Sequence, residues 1–197
     1  MTLRLRPAGD RALLVDVDDN AAAVRLARHL RGQPGLVDVV PGHRTVLVTW
    51  AGEPPELDLS AAAADAAPAV AGRLFEVRVR YDGDDLAEVA RLTGRSVDEV
   101  VDLHTAVEHT VGFLGFAPGF AYLLGSDERL HVPRLETPRP RVPAGAVAIA
   151  GPYSAVYPRE SPGGWRLLGR TELVLFDPAR QPPALLAAGD RVRFVRA

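Results

Sequence analysis

Hydrophobic and polar positions along the first eighty residues alternate between the period of a strand and the period of a helix. The strand pattern occurs in four segments: 12–17, 36–40, 45–50 and 74–80. Residues 21–31 have the helical pattern, with Asn20 in the capping position, and the alanine-rich segment 60–71 predicts a second helix that Pro68 kinks or ends. The order β-α-β-β-α-β predicts a ferredoxin-like α/β lobe over residues 1–80.

The pattern changes after residue 80. Residues 85–92 predict a short helix that ends before Gly94, and Ser96 and Glu99 have the spacing of a capping box at the start of the next helix. Short apolar segments between glycine and proline turns then predict strands at 146–150, 165–168, 173–176 and 191–195. Short, closely spaced strands are typical of a closed or nearly closed antiparallel barrel. We therefore predict an α+β fold in which a β-barrel lobe, 81–197, follows the α/β lobe.

Composition excludes several classes of chemistry. The formal net charge is −2, which favours neither nucleic acid nor an anionic membrane as a partner. The sequence has no cysteine and no lysine, so disulfides, thiolate nucleophiles, Schiff bases and lysine-bound biotin are all excluded. The first residues do not have the pattern of a signal peptide and no apolar run could span a bilayer, so we expect a cytoplasmic protein.

Several active-site motifs are also absent from the sequence. It has neither a Walker-type phosphate loop nor a G-x-S-x-G nucleophile elbow. The five histidines have no metal-ligand spacing, and we predict no metal site on this chain.

The richest candidate for a binding site is the segment 112–123, which reads GFLGFAPGFAYL. Glycine and proline make rigid loops, and the aromatic residues between them would form the walls of a pocket. The loops 133–145 and 157–171 add arginines, whose planar guanidinium groups bind carboxylate or phosphate at two points. The alternative is structural: glycine, proline and aromatic residues also build barrel corners, and surface arginines are commonly only solvated.

Two further residues have both a functional and a structural interpretation. His104, near the end of the capped helix, is either a catalytic residue or a buried or helix-end histidine. Ser161, in Ser-Pro-Gly-Gly, fits a turn better than a nucleophile, because no base lies at a recognisable spacing.

The order of motifs resembles one bacterial family from end to end. After His104 and GFLGFAPGFAYL come PRLETPR, VPAG, AIAG, YP, SPGGWRLLGRT and LFDP. This series resembles the B subunit of 5-oxoprolinase, in a family that includes Kip-type kinase inhibitors and proteins named allophanate hydrolase subunit 1. The sequence is also similar to the first half of the carboxyltransferase region of urea carboxylase, the carboxyltransferase domain, subdomain C and D. The resemblance implies an α/β lobe followed by a cyclophilin-like β-barrel.

The resemblance also implies an activity and partners. It implies a subunit, inactive alone, of an enzyme that opens 5-oxoproline to glutamate with ATP. It implies that ATP and Mg²⁺ are shared with or held by a paired C subunit (allophanate hydrolase subunit 2 type), with an A subunit of the LamB/YcsF type as a further partner. The alternatives are a protein that inhibits a sensor histidine kinase and a carboxyltransferase or allophanate hydrolase component.

Residues of this chain that match the family's motifs are candidates for the site. His104 is the candidate catalytic residue. The candidate substrate-binding residues are Phe116, Pro118, Gly119, Phe120, Tyr122, Arg134, Arg139, Arg141, Gly145, Ser161, Gly163, Gly164, Trp165 and Arg170. The chain departs from the family at Tyr153, Ser154 and Ala155, where a Gln-Thr-Gly type run is usual, and at His109, where tyrosine is common. If the missing glutamine and threonine contact substrate in the family, their absence predicts a changed substrate specificity.

Overall fold

A computed structural model describes residues 3–60 and 72–197. The chain divides into two compact units, 1–71 and 72–197. The division therefore precedes the strand at 74–79, and the boundary predicted after residue 80 is corrected. The predicted helix over 60–71 lies, from residue 61 onward, outside the described residues.

The first unit is an antiparallel sheet packed against one helix. Its elements are β1 (Arg4–Pro7), β2 (Ala12–Asp16), α1 (Asn20–Leu30), β3 (Leu36–Pro41) and β4 (Thr45–Trp50). The strand order is β1-β2-β4-β3, and each neighbouring pair is antiparallel. Leu26 and Leu30 of α1 are buried in one core with Val46 and Val48 of β4. This burial of one apolar helix face gives the unit a core of its own.

Two local features of this unit differ from the prediction. The side chain that caps α1 is that of Asp19, not Asn20, because its carboxylate accepts the Ala22 N–H at 2.7 Å. The strand β1 was not predicted, and all four of its residues are exposed, so the strand has no buried face. After β1, the described residues up to Ser60 follow the predicted order β-α-β-β, and β4 lies between β2 and β3, antiparallel to both, as in a split βαβ unit.

The second unit is built mainly from short strands. Its elements are β5 (Leu74–Val79), α2 (Leu86–Thr93), α3 (Val97–Ala106), β6 (Glu108–Leu114), β7 (Ala121–Leu124), β8 (Arg139–Val142), β9 (Ala146–Ala150), β10 (Tyr153–Val156), β11 (Ser161–Gly163), β12 (Arg166–Arg170) and β13 (Arg191–Arg196). Seven of the strands form one sheet in the order β12-β9-β10-β7-β6-β13-β5, while β8 pairs with β11. Both predicted helix signals are confirmed: Gly94 ends α2 in the left-handed conformation, and Ser96 with Glu99 forms the capping box of α3.

The seven-stranded sheet is nearly closed into a barrel, as predicted. Arg80, just after β5, and Arg170, at the end of β12, exchange two backbone hydrogen bonds of 2.9 Å and so join the two edge strands at one point. Two details differ from the prediction. The pair β5–β13 is parallel, which makes the sheet mixed, and residues 173–176 are not a strand but end in an isolated bridge from Phe176 to Ala184.

Candidate functional site

Side chains from the glycine-aromatic segment and from two later loops form a pocket of about 310 Å³ in the second unit. We call it the aromatic pocket. Its lining consists of Phe116, Phe120, Tyr122, Arg134, Pro138, Tyr157, Pro162, Gly163, Gly164 and Trp165. Seven of the predicted substrate-binding residues are therefore brought together: Phe116, Phe120, Tyr122, Arg134, Gly163, Gly164 and Trp165.

Phe120 organises the walls of the aromatic pocket. Its side chain is only 2% exposed, and four rings meet it in edge-to-face geometry. The centroid distances are 5.3 Å to Phe116, 5.1 Å to Tyr122, 5.3 Å to Tyr157 and 5.6 Å to Trp165. Such pairs contribute about 0.5–1.5 kcal/mol each beyond area burial, so the rings surrounding Phe120 are held in defined orientations.

Backbone contacts fix the opposite wall. A Cβ at Gly163 would overlap the hydroxyl oxygen of Tyr157, so only glycine leaves room for that ring. The carbonyl of Gly164 accepts the Leu135 N–H at 2.7 Å, which ties the loop that carries Arg134 to the pocket wall.

Arg134 is the charged side chain of the pocket lining. It is exposed and makes no ion pair or side-chain hydrogen bond with the residues that the structure describes, so its guanidinium group is available to a ligand. Burial raises the pKa of Tyr122 and of Tyr157 above the usual value, and both phenols therefore stay protonated hydrogen-bond donors. The pocket is suited to a small ligand with an apolar body and an anionic group.

The other predicted arginines lie elsewhere. Arg139 donates to the buried carboxylate of Asp85 at 2.6 Å. Arg170 pairs with Asp82 at 2.9 Å and lines a separate pocket of about 590 Å³. Arg141 is largely exposed, with Glu160 at 3.7 Å. The prediction that arginines of the two loops converge on one anion is thus corrected: these three arginines each have their own neighbouring carboxylate, and only Arg134 lines the aromatic pocket.

Four further predicted residues do not line the pocket. Pro118 and Gly119 form the turn of the loop 115–120, and Ser161 lies in β11 with a buried hydroxyl oxygen that has no partner among the described residues. Gly145, at φ 80°, donates its N–H to the Tyr157 carbonyl at 2.8 Å and accepts the Thr171 N–H at 2.8 Å. Because a Cβ there would overlap the Thr171 carbonyl oxygen, Gly145 has a structural role.

His104 is fully buried at the centre of a hydrogen-bonded chain that was not predicted. Its Nδ1 is 2.7 Å from the Tyr81 hydroxyl, and its Nε2 is 2.9 Å from the Ser154 hydroxyl. Burial, and second the repulsion from His109 in its protonated form, hold the pKa of His104 well below the usual value, so the ring is neutral. A side chain with 0% exposure cannot contact a substrate, and His104 does not line the aromatic pocket. The structure therefore does not support its assignment as a catalytic residue: His104 is a buried core residue that links Tyr81 to Ser154.

Sequence reasoning missed Tyr81 and Ser154 because each lies far from His104 along the chain. The burial pattern of β10 gives no signal for Ser154, because it does not alternate: Tyr153 is half-buried and the next three residues are all buried.

The described part of the chain has neither a cluster of metal-binding side chains nor a helix that could span a membrane. Residues 3–60 and 72–197 contain no group of three or more His, Asp or Glu side chains that could hold a metal ion. In those same ranges, no helix has the length and apolar character needed to cross a membrane.

Comparisons with known proteins give a consistent family. Residues 3–186 match the family described as carboxyltransferase domain, subdomain C and D. An Escherichia coli O157:H7 protein, named as the B subunit of 5-oxoprolinase, is 46% identical over 181 residues, which cover 87% of this chain and 83% of the relative.

Solved structures agree with this result. The crystal structure of TTHA0988 has a TM-score of 0.81 and 38% identity over 95% of this chain, which spans only 40% of that protein. The Kluyveromyces lactis urea carboxylase has a TM-score of 0.71 over 99% of this chain and 22% of its own, and at 22% identity this likeness shows the fold alone. The match over residues 3–186 shows that this chain belongs to the family of carboxyltransferase domains, subdomain C and D.

Proposed function

We propose that this chain is a subunit of an ATP-dependent 5-oxoprolinase, which opens the lactam of 5-oxoproline to glutamate as ATP is hydrolysed to ADP and phosphate. The observation that carries the proposal is its similarity, over most of both chains, to a relative named as the B subunit of 5-oxoprolinase. That name implies further subunits. We propose a partner of the C-subunit type and an A subunit of the LamB/YcsF type.

The aromatic pocket has the chemistry to bind 5-oxoproline. The substrate consists of a small lactam ring and one carboxylate. Aromatic walls contact the ring, and the free guanidinium of Arg134 pairs with the carboxylate at two points. Protonated phenols at Tyr122 and Tyr157 are donors that could stabilise charge developing on the lactam oxygen. The role of this chain is then to bind and orient the substrate.

Phosphoryl transfer requires groups that this chain does not offer. ATP with Mg²⁺ would activate the lactam carbonyl, but the described residues contain no carboxylate cluster for the metal, and the sequence has neither a Walker motif nor a lysine. The residues therefore do not fit a complete nucleotide site, and we assign ATP and Mg²⁺ to the partner or to a shared surface.

Reconstitution tests the proposal. The purified chain, its partners and the full mixture are each incubated with 5-oxoproline, ATP and magnesium, and glutamate and ADP are measured. We expect both products only from the mixture. Glutamate from this chain alone would contradict the shared site. No glutamate from the mixture, together with tight binding to a sensor histidine kinase, would favour the kinase-inhibitor alternative.

A further inference from the structure

The backbone of Phe116 has an unusual conformation at the aromatic pocket. Its φ is 68°, and among the residues that the structure describes it is the one non-glycine residue with positive φ. For a bulky residue this conformation is a genuine outlier. The Ala117 N–H donates to the Gly115 carbonyl at 2.8 Å, across Phe116. A hydrogen bond that joins residues two apart, around a central residue with positive φ, defines the rare, strained form of the γ-turn.

The rest of the loop holds this turn closed. The Gly115 N–H donates to the Phe120 carbonyl at 3.1 Å, and the Phe120 N–H donates to the Ala117 carbonyl at 2.9 Å. Phe120 itself is buried beneath four aromatic neighbours, so it anchors one end of the loop. A strained residue persists only where its surroundings over-determine it, and strained residues cluster at ligand sites.

Burial on folding accounts for little of the preference for phenylalanine at this position. The Phe116 side chain is 62% exposed, so its ring loses little water on folding. Glycine would adopt the same φ without strain. The ring contacts Phe120 edge-to-face at 5.3 Å and lines the pocket that contains the free Arg134.

We propose that Phe116 is a specificity-determining residue of the aromatic pocket. Its strained turn holds the ring at the pocket, where the ring contacts the apolar body of a small carboxylate ligand that pairs with Arg134. The choice of 5-oxoproline as this ligand rests on the proposed function. Part of the ring surface that is exposed in the free chain is then buried in the complex, and that burial offsets the strain.

The chain offers a direct reporter of the pocket. It has two tryptophans, Trp50 and Trp165, and only Trp165 lines the pocket. In a Trp50→Phe background, Trp165 fluorescence is titrated with 5-oxoproline for the parent, Phe116→Gly and Phe116→Ala. The KM for 5-oxoproline of the reconstituted enzyme is measured in parallel. Val174→Ala is the matched control, since Val174 is also an exposed apolar residue, 59% exposed, outside the pocket.

We expect the glycine and alanine variants to differ in thermal stability but to weaken ligand binding alike. Phe116→Gly should melt about 2–4 °C above Phe116→Ala, because only glycine relieves the turn. Both variants should raise the dissociation constant and KM about tenfold, as expected for loss of one aromatic contact, while Val174→Ala should match the parent.

Each contrary result has a distinct meaning. Equal melting temperatures for the glycine and alanine variants would overturn the strain argument. An unchanged KM for both Phe116 variants in an active assembly would overturn the specificity role. An assembly that makes no glutamate would contradict the proposed function instead. If, in addition, the parent chain does not bind 5-oxoproline, the assignment of 5-oxoproline as the ligand would also be overturned.

Discussion

At the residue scale, His104 and His109 are two neutral histidines buried side by side. Their ring centroids lie 5.4 Å apart, and Phe194 stacks on His104 at 4.4 Å. Burial lowers the pKa of His109 to about 4, and neither of its ring nitrogens has a hydrogen bond of good geometry among the described residues, although the nearby backbone of His104 favours the charged form. Protonation of either ring would therefore place a poorly solvated charge in the core.

This burial predicts a loss of stability on mild acidification. In the unfolded chain the histidines have a pKa near 6.5, so below that pH the unfolded chain binds more protons than the folded chain. The folded state is therefore most stable above pH 6.5, and its free energy of unfolding decreases as the pH falls toward 4. Each buried histidine should lower the free energy of unfolding by about 1 kcal/mol as the pH falls from 6.5 to 5.5. We expect His109→Phe to reduce the difference in free energy of unfolding between pH 7.5 and 5.5, measured in urea. The exposed His131→Gln should leave it unchanged. An equal acid effect in His109→Phe would contradict the assignment.

Arg134 carries a second residue-scale prediction. If its guanidinium pairs with a substrate carboxylate at two points, a lysine cannot reproduce the geometry. Arg134→Lys and Arg134→Ala should both raise the KM for 5-oxoproline about tenfold in the reconstituted enzyme. Arg141→Ala removes a charge of the same kind outside the pocket and should change little. A lysine variant with the parent KM would show that only the charge matters.

At the element scale, Asp85 connects three parts of the second unit. It stands at the start of α2, accepts the Leu167 N–H of β12 at 2.7 Å, and accepts from Arg139 of β8 at 2.6 Å. The carboxylate side chain is only 8% exposed, and that of Arg139 is 24% exposed. The pair therefore fixes the position of α2 against two separate strands.

Breaking this contact should destabilise the second unit. Asp85→Asn removes the charge that compensates Arg139 and weakens two hydrogen bonds. We therefore expect the free energy of unfolding to fall by about 3 kcal/mol. Asp98→Asn is the control, since that carboxylate is 84% exposed and its ion pair with Arg196 should contribute less than about 1 kcal/mol. Denaturant unfolding followed by Trp165 fluorescence in the Trp50→Phe background reports on the correct unit. Similar losses for the two variants would argue against a buried structural ion pair.

At the scale of the whole molecule, the chain has an accessible pocket, and the catalytic groups for the proposed reaction are not all found among the described residues. The aromatic pocket exposes Phe116 and Arg134, and the described residues contain neither a metal cluster nor an accessible catalytic histidine. Such a surface predicts assembly with a partner that completes the chemistry.

We expect a stable hetero-oligomer when this chain is co-expressed with its partner of the C-subunit type. A specific interface should bury more than about 1,000 Å² in total. Light scattering after size exclusion should give the mass of the complex, with each chain run alone as the control. Separate elution of the two chains at micromolar concentration would contradict the prediction.

Local chemistry was sufficient to predict much of this protein. The caps of α2 and α3 were predictable because Gly94, Ser96 and Glu99 act within one helical turn. Much of the aromatic pocket was predictable for a similar reason, since Phe116, Phe120 and Tyr122 lie within seven consecutive residues.

Other features depend on residues that are distant along the chain, and only the tertiary structure decided them. The segment 74–79 has the same alternation in either unit, and its parallel pairing with β13 placed it in the second. Whether each arginine forms an ion pair depends on a carboxylate that no local pattern connects to it. Asp85 pairs with Arg139, whereas no described carboxylate pairs with Arg134. In the same way, Tyr81 and Ser154 enclose His104. Sequence alone therefore determined the helix caps, many of the strands and the residues rich in chemistry. Hydrogen-bond and charge partners brought together by folding determined which of those residues remain free to bind a ligand.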